Sequence, residues 1–233
     1  MKIEKIGIAG AGLMGASMSQ IFARYGYDVV VYDAFAAALE KGKELVRLNQ
    51  AAQVEAGEIT GETADKTLAA LRFTNDETAL FDCDIIIESI VEKLDVKQEF
   101  WRKLSRRVRP DTILTTNTSG LSIDSIAADI SGKHRFLGMH WMNPAHLIPC
   151  IEIIRGSETD DASTEAVIAL AHAVGKKTTV CKKRCPRLHS QPHSTRHPAR
   201  MHFAGGGRHC GHRGCGRLHE IRSRLSLCGI RSV

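Results

Sequence analysis

Apolar residues along the chain fall into short continuous runs separated by longer amphipathic stretches. Ile6-Gly7-Ile8-Ala9, Val29–Tyr32, Cys83–Glu88, Thr112–Thr116, Phe136–His140, Ile151–Ile154 and Lys177–Val180 read as strands, with a shorter one at Arg72–Thr74. Runs without polar alternation suit a parallel sheet covered on both faces. Between them lie helical stretches: one reaching Arg24, then Ala36–Ala56, Glu62–Leu71, Val96–Val108 ahead of Pro110, a short Ser122–Ala128, and Ala162–Val174 ended by Gly175. Strand and helix alternate throughout, which predicts a doubly wound α/β sheet. Gly57 to Gly61 breaks the first long helical stretch, so residues 36–71 read as a helical hairpin inserted after the second strand. Lys41, Lys43 and Arg47 on that hairpin fit a solvated face better than a phosphate contact.

The first strand runs directly into Gly10-Ala11-Gly12-Leu13-Met14-Gly15, then a helix, then a strand ending on Asp33. In this order the glycines have separate tasks. Gly10 allows a tight turn, Gly12 lets a pyrophosphate approach the backbone, and Gly15 lets the helix pack on the strand. The helix N-terminus turns its unpaired N–H groups and positive dipole end toward phosphate. Asp33 lies where a carboxylate can accept from an adenosine ribose and repel a 2′-phosphate, which favours NAD over NADP. The α/β sheet is therefore expected to be of the Rossmann type, with Gly10, Gly12, Leu13, Met14, Gly15 and Asp33 at the cofactor.

Composition changes the picture only at the end of the chain. The net charge is +6, yet residues 182–233 hold twelve Lys or Arg against Glu220 alone, so the remainder carries −5. Basic charge therefore says nothing about partners of the α/β part, and no specific nucleic-acid contact is expected. Of seven cysteines only Cys83, Cys150 and Cys181 fall in residues 1–181, which reads as free thiols in a reducing compartment. No run suits a membrane span and no secretory segment stands at the start, so a cytoplasmic location is expected.

Gly138-Met139-His140-Trp141-Met142-Asn143-Pro144 closes a predicted strand, and Glu152 follows twelve residues after His140 on the next one. A histidine at a strand end beside a dinucleotide can take a hydroxyl proton, and a carboxylate next to it can fix the ring's tautomer. Thr116-Asn117-Thr118-Ser119 follows another strand, so its polar side chains are expected in the same crevice.

These stretches together resemble the L-3-hydroxyacyl-CoA dehydrogenases, near the 3-hydroxybutyryl-CoA dehydrogenases. GIAGAGLMGASMSQIFA, IIESIVEKLDVKQ, TTNTSGLSIDSIA, RFLGMHWMNPAHLIPCIEIIRG and the helical hairpin carry the likeness, over residues 3 to about 183. The resemblance implies NAD as cofactor, an acyl-CoA substrate, His140 as general base and Glu152 as its charge partner. It implies that Ser119 and Asn143 hold the substrate's C3 oxygen. Glu92 and Lys97 match positions around the nicotinamide half, with Asn117 beside them. No metal is implied. Trp141-Met142 departs from the family's usual aromatic pair, and residues 145–149 resemble relatives that oxidise L-carnitine or L-gulonate. A free hydroxy acid therefore stays open as substrate, as does a catalytically silent NAD-binding module.

From Lys182 the periodicity stops, and Arg, His, Cys, Gly and Pro dominate. In the family this domain is followed by Asp-Val-Pro-Gly-Phe-Ile-Ala-Asn-Arg, which opens a helical domain. Here the place is taken by residues 184–192, Arg-Cys-Pro-Arg-Leu-His-Ser-Gln-Pro. The codons CGA TGT CCC CGG CTT CAT AGC CAA CCG C encode the observed residues. Without their first base they read GAT GTC CCC GGC TTC ATA GCC AAC CGC, the family's nine. Residues 219–223, as CAT GAA ATA CGG TCT, contain Met-Lys-Tyr-Gly in the same shifted frame, again as in the family. The expectation is one NAD-binding domain over 1–183, followed at 184–233 by an out-of-frame tail without a selected core, unstructured for that reason. Such a tail would replace the helical domain and remove the family's homodimer contacts. His209, Cys210, His212 and Cys215 fit no established zinc-finger spacing.

Overall fold

The computed structural model describes residues 2–181. The expectations for residues 184–233, including their lack of structure and the His/Cys group, lie outside the described residues. The chain runs β1 (Lys5–Ala9), α1 (Leu13–Arg24), β2 (Asp28–Tyr32), α2 (Ala36–Glu55), α3 (Gly61–Ala69), β3 (Leu71–Thr74) and β4 (Ile85–Glu88). It continues with α4 (Leu94–Leu104), β5 (Ile113–Thr116), α5 (Ile123–Ile126), β6 (Phe136–Trp141), β7 (Cys150–Arg155), α6 (Asp161–Ala173) and β8 (Lys177–Cys181). The hairpin is α2 and α3, joined through Gly57, whose φ of 71° suits the turn. Thr60 caps α3 by accepting from the Thr63 N–H.

One eight-stranded sheet has the order β3-β2-β1-β4-β5-β6-β7-β8. All neighbouring pairs are parallel except β6 and β7. The order reverses between β1 and β4, and ligands of such sheets settle outside the strand ends at this switch point. The connection from β6 to β7, residues 142–149, is too short for a helical crossover, so the chain turns back antiparallel.

Alternation along each strand divides the core into two layers. Ile6, Ile8, Val29, Val31, Ile85, Ile87, Leu137 and Met139 pack with Met18, Phe22 and Val167 on one face. Val30, Ile86, Leu114 and Ile154 pack with Trp101, Leu104, Ile123 and Ile126 on the other. Both faces are covered, as the continuous apolar runs require. Among the described residues no helix is long and apolar enough to cross a membrane.

Most element ends differ from the sequence reading by one or two residues, and the C-terminal end of α4 by four. Helix α4 starts two residues early and ends at Leu104, where Arg107 N–H turns back to Leu104 and tightens the chain before Pro110. Strand β4 starts at Ile85; just before it Asp84 still bonds through its backbone to Lys5 and Ile113, and one of its carboxylate oxygens accepts from the Glu4 and Lys5 N–H groups. Strand β8 extends one residue further, to Cys181.

Candidate active site

At the switch point the chain leaves β1 through the glycine turn. Gly10 has φ 110°, and a Cβ there would lie 2.5 Å from the Ser89 carbonyl. A Cβ on Gly15 would lie 1.8 Å from the Gly10 carbonyl, so helix and turn can touch only through glycine. A Cβ on Gly12 would meet nothing within 4 Å: the space above it is open. Gly12 is also the N-cap of α1, and no side chain caps that end. The N–H groups and dipole of the first turn therefore face this open space.

Asp33, past the end of β2, accepts from the Ala11 N–H at 2.8 Å through Oδ2 and from the Phe35 N–H at 3.0 Å through Oδ1. It thus braces the glycine turn, and a carboxylate with two oxygens keeps lone pairs for further donors. Leu13, Phe35 and Val91 are exposed apolar side chains just beyond β1, β2 and β4. Met14 is half-buried against the core. The open cradle over Gly12, the uncapped helix and the Asp33 carboxylate fit a dinucleotide.

The antiparallel turn after β6 creates the second half of the site. In the β6–β7 register His140 lies directly opposite Glu152. Directly opposed residues share a sheet face and stand close enough to interact. His140 Nδ1 is 2.7 Å from Glu152 Oε2, and His140 Nε2 is 3.2 Å from Ser119 Oγ. An ionised carboxylate only accepts, so Nδ1–H donates to Glu152. Nε2 of the neutral ring is then the acceptor facing the Ser119 hydroxyl. His140 is buried, whereas the Glu152 side chain is 40% exposed.

The loop after β5 completes this end. Asn117 accepts from the Trp141 N–H at 2.8 Å through Oδ1 and donates from Nδ2 to Ser89 Oγ at 3.4 Å. It ties the ends of β4, β5 and β6 together. Glu92, beyond β4, accepts through Oε1 from Thr118 Oγ1 at 2.6 Å, Ser119 N at 2.8 Å and Gly120 N at 2.9 Å. Burial pushes its carboxyl up, but these bonds and the Lys97 charge outweigh it and hold the group below its ordinary value.

Lys97 is almost fully buried, with its ammonium on Glu88 Oε1 and 3.4 Å from Glu92 Oε2. Glu88 itself is fully buried at the end of β4. It also accepts from Ile90 N at 2.9 Å, Trp101 Nε1 at 3.3 Å and Thr116 Oγ1 at 2.8 Å. An apolar run ending in a glutamate gives no reason to single out Glu88, and only the fold brings Lys97, Trp101 and Thr116 to it. Phe35 and Val91 are equally silent in the sequence.

Asn143 stands apart, exposed in the turn beyond β6. That turn is held from beneath by Lys176, whose buried ammonium donates to the Ala145 carbonyl at 2.6 Å and the Ile148 carbonyl at 2.8 Å. Burial lowers the Lys176 pKa. The structure thus brings Ser119, His140 and Glu152 into one hydrogen-bonded chain, with Glu92 and Lys97 behind Ser119. Gly10 to Gly15 and Asp33 form a separate group at the β1–β2 end of the same sheet edge. The hairpin bases Lys43 and Arg47 pair with Glu40 and Glu44 on their own helix. Among the described residues no group of three or more His, Cys, Asp or Glu is placed to hold a metal ion.

Residues 5–185 match the family described as 3-hydroxyacyl-CoA dehydrogenase, NAD binding domain. The chain is 35% identical over 177 residues to a probable 3-hydroxybutyryl-CoA dehydrogenase of Deinococcus radiodurans, covering 76% of this chain and 63% of the relative. It is 34% identical over 185 residues to a 5-formyl-3-hydroxy-2-methylpyridine 4-carboxylate 5-dehydrogenase of Mesorhizobium japonicum, covering 79% and 59%. Among solved structures, the 3-hydroxybutyryl-CoA dehydrogenase of Escherichia coli K12 superposes with a TM-score of 0.76 at 33% identity, over 78% of this chain and 38% of that one. The chain spans about three fifths of the Deinococcus and Mesorhizobium relatives' length.

Proposed function

The chain belongs to the 3-hydroxyacyl-CoA dehydrogenase family through its NAD-binding domain, and from that premise we propose that it descends from an enzyme oxidising L-3-hydroxyacyl-CoA to 3-ketoacyl-CoA. The observation that carries this reading is the chain Ser119–His140–Glu152 at the sheet edge that also holds the glycine turn. NAD, when bound, supplies the acceptor for the hydride leaving C3. Gly10, Gly12 and Gly15 with the α1 N-terminus would hold its pyrophosphate, and Asp33 the adenosine ribose. Leu13, Phe35 and Val91 offer apolar walls, and Glu92, Lys97 and Asn117 would stand behind the nicotinamide half.

His140 does the proton work. Its Nε2, the acceptor nitrogen of the neutral ring, takes the C3 hydroxyl proton, and the resulting imidazolium is stabilised by Glu152 at Nδ1. Ser119 and Asn143 orient the C3 oxygen toward Nε2. The hydroxyl loses a proton to His140 and the carbon a hydride to the cofactor, which balances an alcohol-to-ketone oxidation. The names of the Deinococcus and Escherichia relatives favour a CoA thioester. The name of the Mesorhizobium relative gives a substrate without CoA, a formyl-pyridine carboxylate; the second reading, a free hydroxy acid, rests on residues 145–149.

The same premise bears on the tail. The family match stops at residue 185, and the match to the Deinococcus relative covers 63% of that relative's length. Together with the codon relation of residues 184–192, this supports one extra base near codons 182–183. The residues after it would then replace the helical domain that in the family closes the crevice and supplies most of the dimer contact. Resequencing the gene tests this directly: a shifted frame interrupted by stops ends the idea.

An assay with acetoacetyl-CoA and NADH tests the function, on the chain as it stands and on a frame-restored chain. NADH oxidation by the frame-restored chain is expected. NADH binding without turnover in both supports a silent module, and turnover only with free keto acids supports the second reading.

A further inference from the structure

Ser119 is exposed and lies in a turn with no regular secondary structure, yet its hydroxyl must face His140 Nε2. Nothing in the Ser119 side chain's own bonding fixes that turn. Within the turn Thr118 Oγ1 accepts the Leu121 N–H at 3.0 Å, and the remaining restraint comes from the loop beyond the neighbouring strand β4. One oxygen of Glu92 gathers the Thr118 hydroxyl and the Ser119 and Gly120 N–H groups. Three donors on one carboxylate oxygen fix three consecutive residues, and bonds to a charged acceptor are about twice as strong as neutral ones. The other oxygen is turned toward the buried Lys97 ammonium, itself anchored by Glu88. Glu92 is therefore held from behind and holds from the front.

We infer that Glu92 is a positioning residue for the proton-transfer group: by clamping residues 118–120 it aims the Ser119 hydroxyl at His140 Nε2. This adds to the cofactor-side place the resemblance gives Glu92, and it rests on the reading of His140 as the base. Glu92 is the member of the ladder open to test. Removing one partner of a buried ion pair such as Glu88–Lys97 strongly destabilises a fold, so changes there would report on folding. Glu92 is exposed, and it can be replaced without orphaning a buried charge, since Lys97 keeps Glu88.

The experiment reads the ring nitrogen and not turnover, so its failure is distinct from failure of the proposed reaction. The full chain is labelled with ¹⁵N-histidine, His140 is assigned by its loss in His140→Gln, and spectra are taken where the ring is neutral. Ser119→Ala removes the hydroxyl donor and moves the Nε2 resonance downfield, toward a free acceptor nitrogen. Glu92→Ala is expected to move it the same way by a comparable amount. The double variant should move no further than Ser119→Ala alone, because both changes remove one interaction. Glu92→Gln keeps an acceptor oxygen on the turn and should restore most of the wild-type position. Thr118→Val removes one clamp donor together with the acceptor of the Leu121 N–H, whereas Thr118→Ser keeps both; Thr118→Val should give a shift of the same sign and Thr118→Ser none, even if Glu92→Ala fails to fold. An unmoved resonance in Thr118→Val and in any folded Glu92→Ala, or shifts that add in the double variant, would overturn the inference.

Discussion

His140 and Glu152 are twelve residues apart and face each other because the chain reverses between β6 and β7. The sequence places both on neighbouring strands but leaves their pairing open, and a slip of one residue would send the glutamate to the opposite face. The short connection at 142–149 is the signal that settles it, since only an antiparallel return fits that length. Lys97 shows the opposite case. The motif places it around the nicotinamide, while the fold buries its ammonium on Glu88, a carboxylate with no mark in the sequence beyond ending an apolar run. Cys83 belongs to this scale as well. Burial pushes its thiol up to about 12, so at neutral pH it carries almost no thiolate. Iodoacetamide under native conditions is expected to leave Cys83 unmodified and to reach it after unfolding; peptide mapping by mass spectrometry checks this.

The glycine turn and α1 act as one element, and two substitutions separate its folding from its binding task. Gly15→Ala places a methyl 1.8 Å from the Gly10 carbonyl, so turn or helix must shift. Forcing an extra methyl into a packed contact costs about 1–3 kcal/mol, and both the melting temperature and NADH affinity should fall. Gly12→Ala adds a methyl to open space. It should leave the melting temperature nearly unchanged and weaken NADH alone, a contrast that calorimetry and fluorescence titration read together. Existence and type of the elements were legible because each strand is a short apolar run and each helix carries its stripe. Ends were less so: α4 stops at Leu104, where the Arg107 N–H turns back to the Leu104 carbonyl, and Asp84, just before β4, is tied by its side chain to the Glu4 and Lys5 N–H groups. Only the second of these contacts joins residues remote in sequence.

The described residues form a sheet whose order reverses between β1 and β4, with the open glycine turn at that point and the Ser119–His140–Glu152 hydrogen-bonded chain a few strands along the same edge. Alternating strands and helices made the sheet class readable, because a covered parallel sheet needs apolar strands throughout. The antiparallel step that creates the His–Glu pair was not read as such, although it decides the chemistry. The basic charge of residues 182–233 is unlike the rest, and under the frame reading it has no role in this architecture. The central claim is that His140 moves the substrate proton while the glycine turn holds the coenzyme independently. It is tested most directly by acetoacetyl-CoA reduction with NADH in the frame-restored chain and its His140→Gln variant, with NADH affinity titrated in both. The account predicts a rate lower by about 10²–10⁴-fold, as for loss of a general acid–base group, at nearly unchanged NADH affinity. An undiminished rate in the variant would contradict it.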